Sequence, residues 1–353
     1  LSRLLALARG LLLSLISIVV TLIAIEVALR VFFNVTDDVE YVRLPGVGYA
    51  LRPRQAGRFI RSGGIDARFR VNDGGWNAPG EYAKQHPPGK LRVAVVGDSF
   101  VEAMQVDPEQ SFAAVLERGL RREGVNAEVY PFGVSGFGTS QVLHLVRDYV
   151  LDYSPDLVIY LFIRNDASDS CRCMDDKHWT QQYGLGPQGE LEPLPFYPYR
   201  LSTKKKLLRH SALVRFLFYQ QRLLEHLRDA REQPKQPDVG VDAPRECEES
   251  CWKIVGLLLQ EMDRTLRDRG IPWMLVWEGD AKPDYAHNER EHLERLAARD
   301  QLPYRDLTPG FAPAARAGAQ PYRFAGDGHW NAEGHRLAGE ALVPMVKTLL
   351  GTP

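Results

Sequence analysis

The stretch "VAVVGDSFVEA" at residues 93–103 decides the fold. It opens as a continuous apolar run and breaks at Gly97-Asp98-Ser99 before a helix-like segment. A short apolar run bounded by a turn signal reads as a strand buried on both faces, the kind that parallel sheets contain. A serine at the tip of such a strand stands in a tight turn that exposes its hydroxyl. In open parallel sheets, reactive groups gather outside the carboxyl ends of the strands.

Downstream of this stretch the pattern repeats. "LRVAVV" (91–96), "AEVYPF" (127–132), "DLVIYLFI" (156–163) and "IPWMLVWEG" (271–279) read as strands. "SFAAVLERGLRREG" (111–124), "TSQVLHLVRDYVLDY" (139–153), "HNEREHLERLAAR" (287–299) and "NAEGHRLAGEALVPMVKTLL" (331–350) have helical spacing. Apolar strands separated by helices predict an α/β domain over 91–353 built on a parallel doubly wound sheet.

The alternation is interrupted at about 167–252, which reads as an insertion. Its centre, "STKKKLLRHSALVRFLFYQQRLLEHLRD" (202–229), predicts a helix with Leu213, Phe216, Leu217, Leu223, Leu224 and Leu227 on one stripe. That stripe packs over the core, or else Lys204, Lys205, Lys206 and Arg209 rest on anionic lipid headgroups or an acidic glycan. "REQPKQPDVGVDAPRECEES" (231–250) is Pro-rich and charged, and reads as an exposed loop held by its cysteines.

Upstream, residues 34–90 form a Pro/Gly-rich entry region, a stalk or a packing arm, in which "IDARFRVNDGGWN" reads as a strand entering a turn. Residues 1–33 differ from everything that follows: Arg3 and Arg9 come early, and no charge appears from Gly10 to Ile25. This predicts an uncleaved membrane anchor. A signal peptide is the competing reading, but no small-x-small site follows the apolar run. Glu26 and Arg30 are spaced to pair at the outer end. The early arginines favour a cytoplasmic N-terminus, which makes the chain a single-pass protein of the inner (plasma) membrane with its catalytic domain outside the cytoplasm.

The four cysteines fit that compartment, as C-x-C at Cys171 and Cys173 and C-x-x-x-C at Cys247 and Cys251. A staple joining 171/173 to 247/251 is expected, since a C-x-C pair would close a strained ring. A zinc site with His178 is the alternative. The 353 residues carry 44 basic and 45 acidic side chains, so no overall field points to nucleic acid or another polyanion.

Chemistry concentrates at the strand ends. Gly97-Asp98-Ser99 follows the first strand, "GVSGFGTS" (133–140) the second and Arg164-Asn165-Asp166 the third, while "GDGHWNAEGH" (326–335) precedes the last helix. A serine hydroxyl needs a base to take its proton, and the base needs an acceptor on its other nitrogen. Ser99, His329 and Asp327 supply these roles. The backbone N–H groups of Ser99 and Gly136 and the side-chain amide of Asn165 are candidate donors to an oxyanion. Asp98 reads as a brace of the turn, Asn331 as a helix cap, Trp330 as packing, and His335 as a core or surface residue. Arg164 pairs with Asp166 or Asp169, or binds an anionic substrate group.

"GDSF" (97–100), "GVSGFGT" (133–139), "RND" (164–166) and "DGHWN" (327–331), in this order, resemble the four blocks of the SGNH (GDSL-like) hydrolases. The resemblance covers about 91–166 and 270–350. It implies a flavodoxin-like α/β/α sandwich with Ser99 as nucleophile, Gly136 and Asn165 in the oxyanion hole, and His329 as base. Two positions depart from the family pattern. Ile163 stands where the third block commonly has glycine, which narrows the pocket or, with Arg164, puts a cation in it. Asp327 lies two residues before His329 rather than three, and this D-x-H-W-N form resembles exported polysaccharide O-acetylation enzymes of the same superfamily.

The expectation is a serine esterase that forms an acyl-serine intermediate and passes an acyl group, in the simplest case acetyl from a carbohydrate or cell-envelope polymer, to water without metal or organic cofactor. One competing reading is an O-acetyltransferase fed by a membrane-bound acyltransferase partner. The other is a glycan-binding protein that keeps the fold without turnover.

Overall fold

The computed structural model describes residues 2–223, 227, 245–279, 287–315 and 321–351. Four short strands lie in the entry region: β1 (Tyr41–Leu44), β2 (Gly48–Leu51), β3 (Ala56–Arg61) and β4 (Ile65–Arg70). The main strands are β5 (Leu91–Gly97), β6 (Ala127–Gly133), β7 (Leu157–Phe162), β10 (Trp273–Trp277) and β11 (Tyr304–Asp306), with the small pair β8 (Tyr183–Leu185) and β9 (Leu191–Pro193) inside the insertion. The five main strands form one parallel sheet in the order β11-β10-β7-β5-β6. Numbered by their succession in the chain, that order is the flavodoxin-like 2-1-3-4-5, whose switch point lies between the first and third strands. Ser99 follows the first of these and Asn165 the third.

Alternate residues of β5 enter opposite cores, as a strand buried on both faces requires. Val93 and Val95 pack with Leu116 of the helix Phe112–Arg122 and Leu342 of the closing helix Ala332–Leu350. Ala94 and Val96 pack with Leu145 of the helix Thr139–Asp148 and Leu258 of the helix Arg245–Arg267. Helices on both faces make the domain an α/β/α sandwich. The edge strand β11 escaped the sequence reading because "LPYRDL" holds no apolar run, and its three residues are only half-buried.

Residues 34–90 pack against this domain as two antiparallel hairpins, β1–β2 and β3–β4. Val47, Ala50 and Trp76 join the main core, and Leu51, Phe69 and Val71 close over Met104, just beyond the Ser99 turn.

The single helix expected over 202–229 does not form. Thr203–Leu208 is one helix, and the chain restarts at Ala212–Val214 and continues as a π-helical turn at Arg215–Gln220. The restart has a local cause: the Ser211 side chain accepts from the Val214 N–H, an N-cap that competes with a continuous helix. On the expected stripe, Leu213, Phe216, Leu217 and Leu223 are half-buried and Leu227 is exposed, while Leu224 and residues 231–244 of the expected loop lie outside the described residues; its last six residues, 245–250, are not loop but the first turns of the helix Arg245–Arg267.

The expected staple is present. Cys171 pairs with Cys251 and Cys173 with Cys247, tying the start of the insertion to the helix Arg245–Arg267. All four thiols are consumed, which removes the zinc alternative, and His178 faces Asp176 at 3.1 Å.

At the N-terminus, Ser2–Phe32 is one 31-residue helix. Among the described residues it is the one helix long and apolar enough to cross a membrane. At about 1.5 Å per residue it exceeds the ~30 Å hydrocarbon thickness. Glu26 and Arg30 pair at 2.6 Å, as expected.

Candidate active site

The turn after β5 is built around Asp98. One carboxylate oxygen of Asp98 accepts from the Phe100 N–H at 2.9 Å and caps the short helix Ser99–Glu102. The brace reading therefore describes its contacts, and burial raises its pKa. The other oxygen lies 3.0 Å from Ser99 Oγ. Ser99 Oγ also lies 2.8 Å from His329 Nε2. One hydroxyl proton serves one acceptor at a time.

His329 Nδ1 meets Asp327 Oδ1 in a short hydrogen bond. Two residues of separation suffice because the residue between them, Gly328, is left-handed with φ of 83°. The Asp327 side chain is 2% exposed, and Arg61 of β3 and Arg222 of the insertion each place a guanidinium nitrogen 3.7 Å from its outer oxygen. Burial acts to raise the Asp327 pKa, but the His329 bond, the His329 charge and the two arginines outweigh it and hold the carboxyl below its usual range. Arg323 supports the same loop: it donates to the Gly328 carbonyl and faces the buried Glu278 at 3.1 Å.

Ser99, Gly136, Asn165 and His329 line one cavity of about 380 Å³. The backbone N–H of Ser99 opens a helix and is one of the donors that intrahelical bonding leaves unused. Gly136 turns with φ of 77°. Asn165 spends one amide hydrogen on Asp169 at 2.8 Å. Residues from three strand ends thus line the cavity beside the serine. A separate hollow of about 300 Å³, between β4 and the start of the closing helix, contains none of these four residues.

Arg164 is exposed and pairs with neither Asp166 nor Asp169. Tyr160 Oη and the Ile163 N–H donate to Asp166, while Lys177 and Asn165 take Asp169. Arg164 instead lies beside Gly328 and does not line the cavity. Ile163 does not narrow the cavity either; it is buried in the core with β5 and β10. Asn331 caps the closing helix as expected. Trp330 is fully buried, and His335 is a core histidine whose Nδ1 accepts from the Phe112 N–H.

Several residues here gave no signal in the sequence. Lys177 bridges Asp169 at 2.7 Å and the Gly136 carbonyl at 2.8 Å, tying the second strand-end loop to the third. Glu102, one turn after Ser99, is 1% exposed and lines the cavity. Ser135 Oγ donates to one of its oxygens, and Tyr41 Oη donates to the other at 3.3 Å. Burial pushes its carboxyl up to about 7 against these hydrogen bonds.

Among solved structures, TesA shares 17% identity over 73% of this chain and 99% of its own, with a TM-score of 0.42. The acetyl xylan esterase AlAXEase shares 12% over 72% and 100%, at 0.40. The psychrotrophic esterase EstA from Pseudoalteromonas sp. shares 10% over 74% and 98%, also at 0.40. At these scores none of the three bears on the reading of the site. Curated proteins gave no match. The model of the GDSL-like lipase/acylhydrolase family matches residues 95–337, a span that opens in β5, holds Ser99 and His329 and ends in the closing helix, and the chain belongs to that family of ester hydrolases.

Proposed function

We propose that Ser99 is the nucleophile, His329 the general base and Asp327 its orienting acid in the hydrolysis of O-acyl esters on carbohydrate or other cell-envelope molecules. The observation that carries this reading is the continuous contact from Ser99 Oγ through both nitrogens of His329 to Asp327. Ser99 Oγ attacks the ester carbonyl carbon as His329 Nε2 takes the hydroxyl proton. The carbonyl oxygen becomes an oxyanion held by the N–H groups of Ser99 and Gly136 and the amide of Asn165. The C–O bond to the alcohol breaks, and His329 gives the proton to the leaving oxygen. Water then attacks the acyl-serine with His329 again as base, releasing the carboxylic acid and free Ser99.

The apolar N-terminal helix and the two disulfides support an anchored, extracytoplasmic setting at the inner membrane. The test is turnover of p-nitrophenyl acetate with envelope oligosaccharides present, following where the acetyl goes, with Ser99→Ala as control. Serine-dependent free acetate is the expected result. Acetylated sugar would instead make the chain a transferase, and equal rates for wild type and Ser99→Ala would leave a binding protein.

A further inference from the structure

The helix Ser2–Phe32 does not leave the domain through a free stalk. Its outer end is built into the insertion: Glu26 accepts from Ser211 Oγ at 2.8 Å and from the N–H groups of Ala212 at 2.8 Å and Leu213 at 2.9 Å. A carboxylate taking the first donors of a helix is a strong, charge-assisted cap. Arg30 donates to the His210 carbonyl at 2.6 Å. Beyond the helix, Gln220 holds the backbone on both sides, accepting from Thr36 N–H at 3.1 Å and donating to the Asn34 carbonyl at 3.4 Å.

The cavity begins at once. Thr36, Asp37, Asp38, Val39 and Tyr41 line it, together with Tyr219 of the same insertion. Thr36 is four residues past Phe32, a reach of about 14 Å for extended chain. The insertion that holds this docking point exposes Lys206 and Lys205, the latter also at the cavity, and its Leu208 and Phe218 are each 38% exposed, while Phe32 and Phe33 at the helix end are exposed as well. Exposed apolar side chains with lysines, on an insertion docked to the end of an apolar helix, form the kind of surface that an anionic bilayer interface accepts.

We propose that the insertion around Leu208 and Phe218 rests on the bilayer, and that Glu26 locks the anchor to it so that the Ser99 cleft opens at the membrane surface, toward esters presented there. This rests on the readings of the helix as an anchor and of Ser99 as the nucleophile. The anchor is then a fixed part of the catalytic domain, and it limits substrate to what the bilayer surface brings.

The test uses the full chain in vesicles of phosphatidylethanolamine and phosphatidylglycerol, with soluble p-nitrophenyl acetate and vesicle-embedded p-nitrophenyl palmitate as probes. Glu26→Gln weakens the cap, and Phe218→Asp repels the insertion from the interface. In both variants the palmitate-to-acetate rate ratio is expected to fall about tenfold, the scale of losing a charge-assisted contact, while the acetate rate stays within twofold and certifies the fold. An unchanged ratio in both variants overturns the proposal, whether the two rates hold or fall together. A wild type that ignores the vesicle-borne ester also overturns it. Failure of the underlying readings looks different: Ser99→Ala as active as wild type on acetate removes the hydrolase, and a chain that washes off the vesicles in carbonate removes the anchor.

Discussion

Replacing Glu102 with glutamine changes how stability depends on pH. In the folded chain the carboxyl is 1% exposed and titrates near 7, against a reference value of 4.5. Between those two values the folded state binds a proton that the unfolded state has released, so stability falls as pH rises through this window. At about 1.4 kcal/mol per pH unit the full cost is about 3.5 kcal/mol, of which about 2.5 kcal/mol appears between pH 5 and pH 8. Glutamine has the same shape and cannot ionise; its carbonyl can accept from Ser135 while its amide donates to the Tyr41 oxygen. Thermal unfolding of the detergent-solubilised chain should show Glu102→Gln pulling ahead of wild type as pH rises, by about 5 °C from pH 5 to pH 8 at ~2 °C per kcal/mol. The comparison isolates Glu102, because Asp98, Asp166 and Asp169, also raised by burial, are common to both proteins. A constant difference between the two melting curves across that range would refute the reasoning.

Lys177→Met should lower kcat on p-nitrophenyl acetate by about tenfold, since it releases the Gly136 carbonyl from Asp169 and so loosens two of the three donors proposed for the oxyanion; an unchanged kcat would show that those loops hold themselves. Arg61→Ala removes one of two cations from Asp327, but its side chain is 36% exposed and solvent screens the pair. A loss of about fivefold in kcat, restored in part by Arg61→Lys, is expected from steady-state kinetics, and no recovery in the lysine variant would point to packing against Phe59 instead. Replacing Cys173 and Cys247 by alanine should cost only about 2 kcal/mol in denaturant unfolding, because the Cys171–Cys251 bridge still closes the 80-residue loop. Removing both bridges should cost roughly 4 kcal/mol more, and equal losses from one and both would contradict this nesting.

The sheet and the meeting of Ser99, Gly136, Asn165, Asp327 and His329 were legible because each depends on short-range pattern. A buried strand needs a run of apolar residues, and a residue at a strand end in a parallel sheet has its neighbours chosen by topology. The D-x-H spacing was readable as a departure, but its remedy lies in a backbone angle at Gly328 that only the fold displays. The pairing offered for Arg164 failed for a different reason: proximity along the chain suggested Asp166 and Asp169, yet both carboxylates were claimed by residues that the fold brings in, Tyr160 and Lys177. The break at Ser211 in the expected long helix was hidden because serine is tolerated inside helices, and its capping role emerges only where Glu26 and Arg30 dock.

The entry hairpins show why the site is larger than its four sequence blocks. β3 supplies Arg61 to Asp327, β1 supplies Tyr41 to Glu102, and Tyr49 of β2 donates to the Ser135 carbonyl at 2.8 Å. Each contact reaches a different part of the site, so one segment touches the carboxylate that faces His329, the carboxyl one turn after Ser99 and the loop after β6 together. The same segment is the first chain to leave the N-terminal helix. Val47, Ala50 and Trp76 hold this segment to the main core independently of the helix, so weakening the Glu26 dock changes access to the cleft and leaves these three contacts, and with them kcat on a soluble ester, in place.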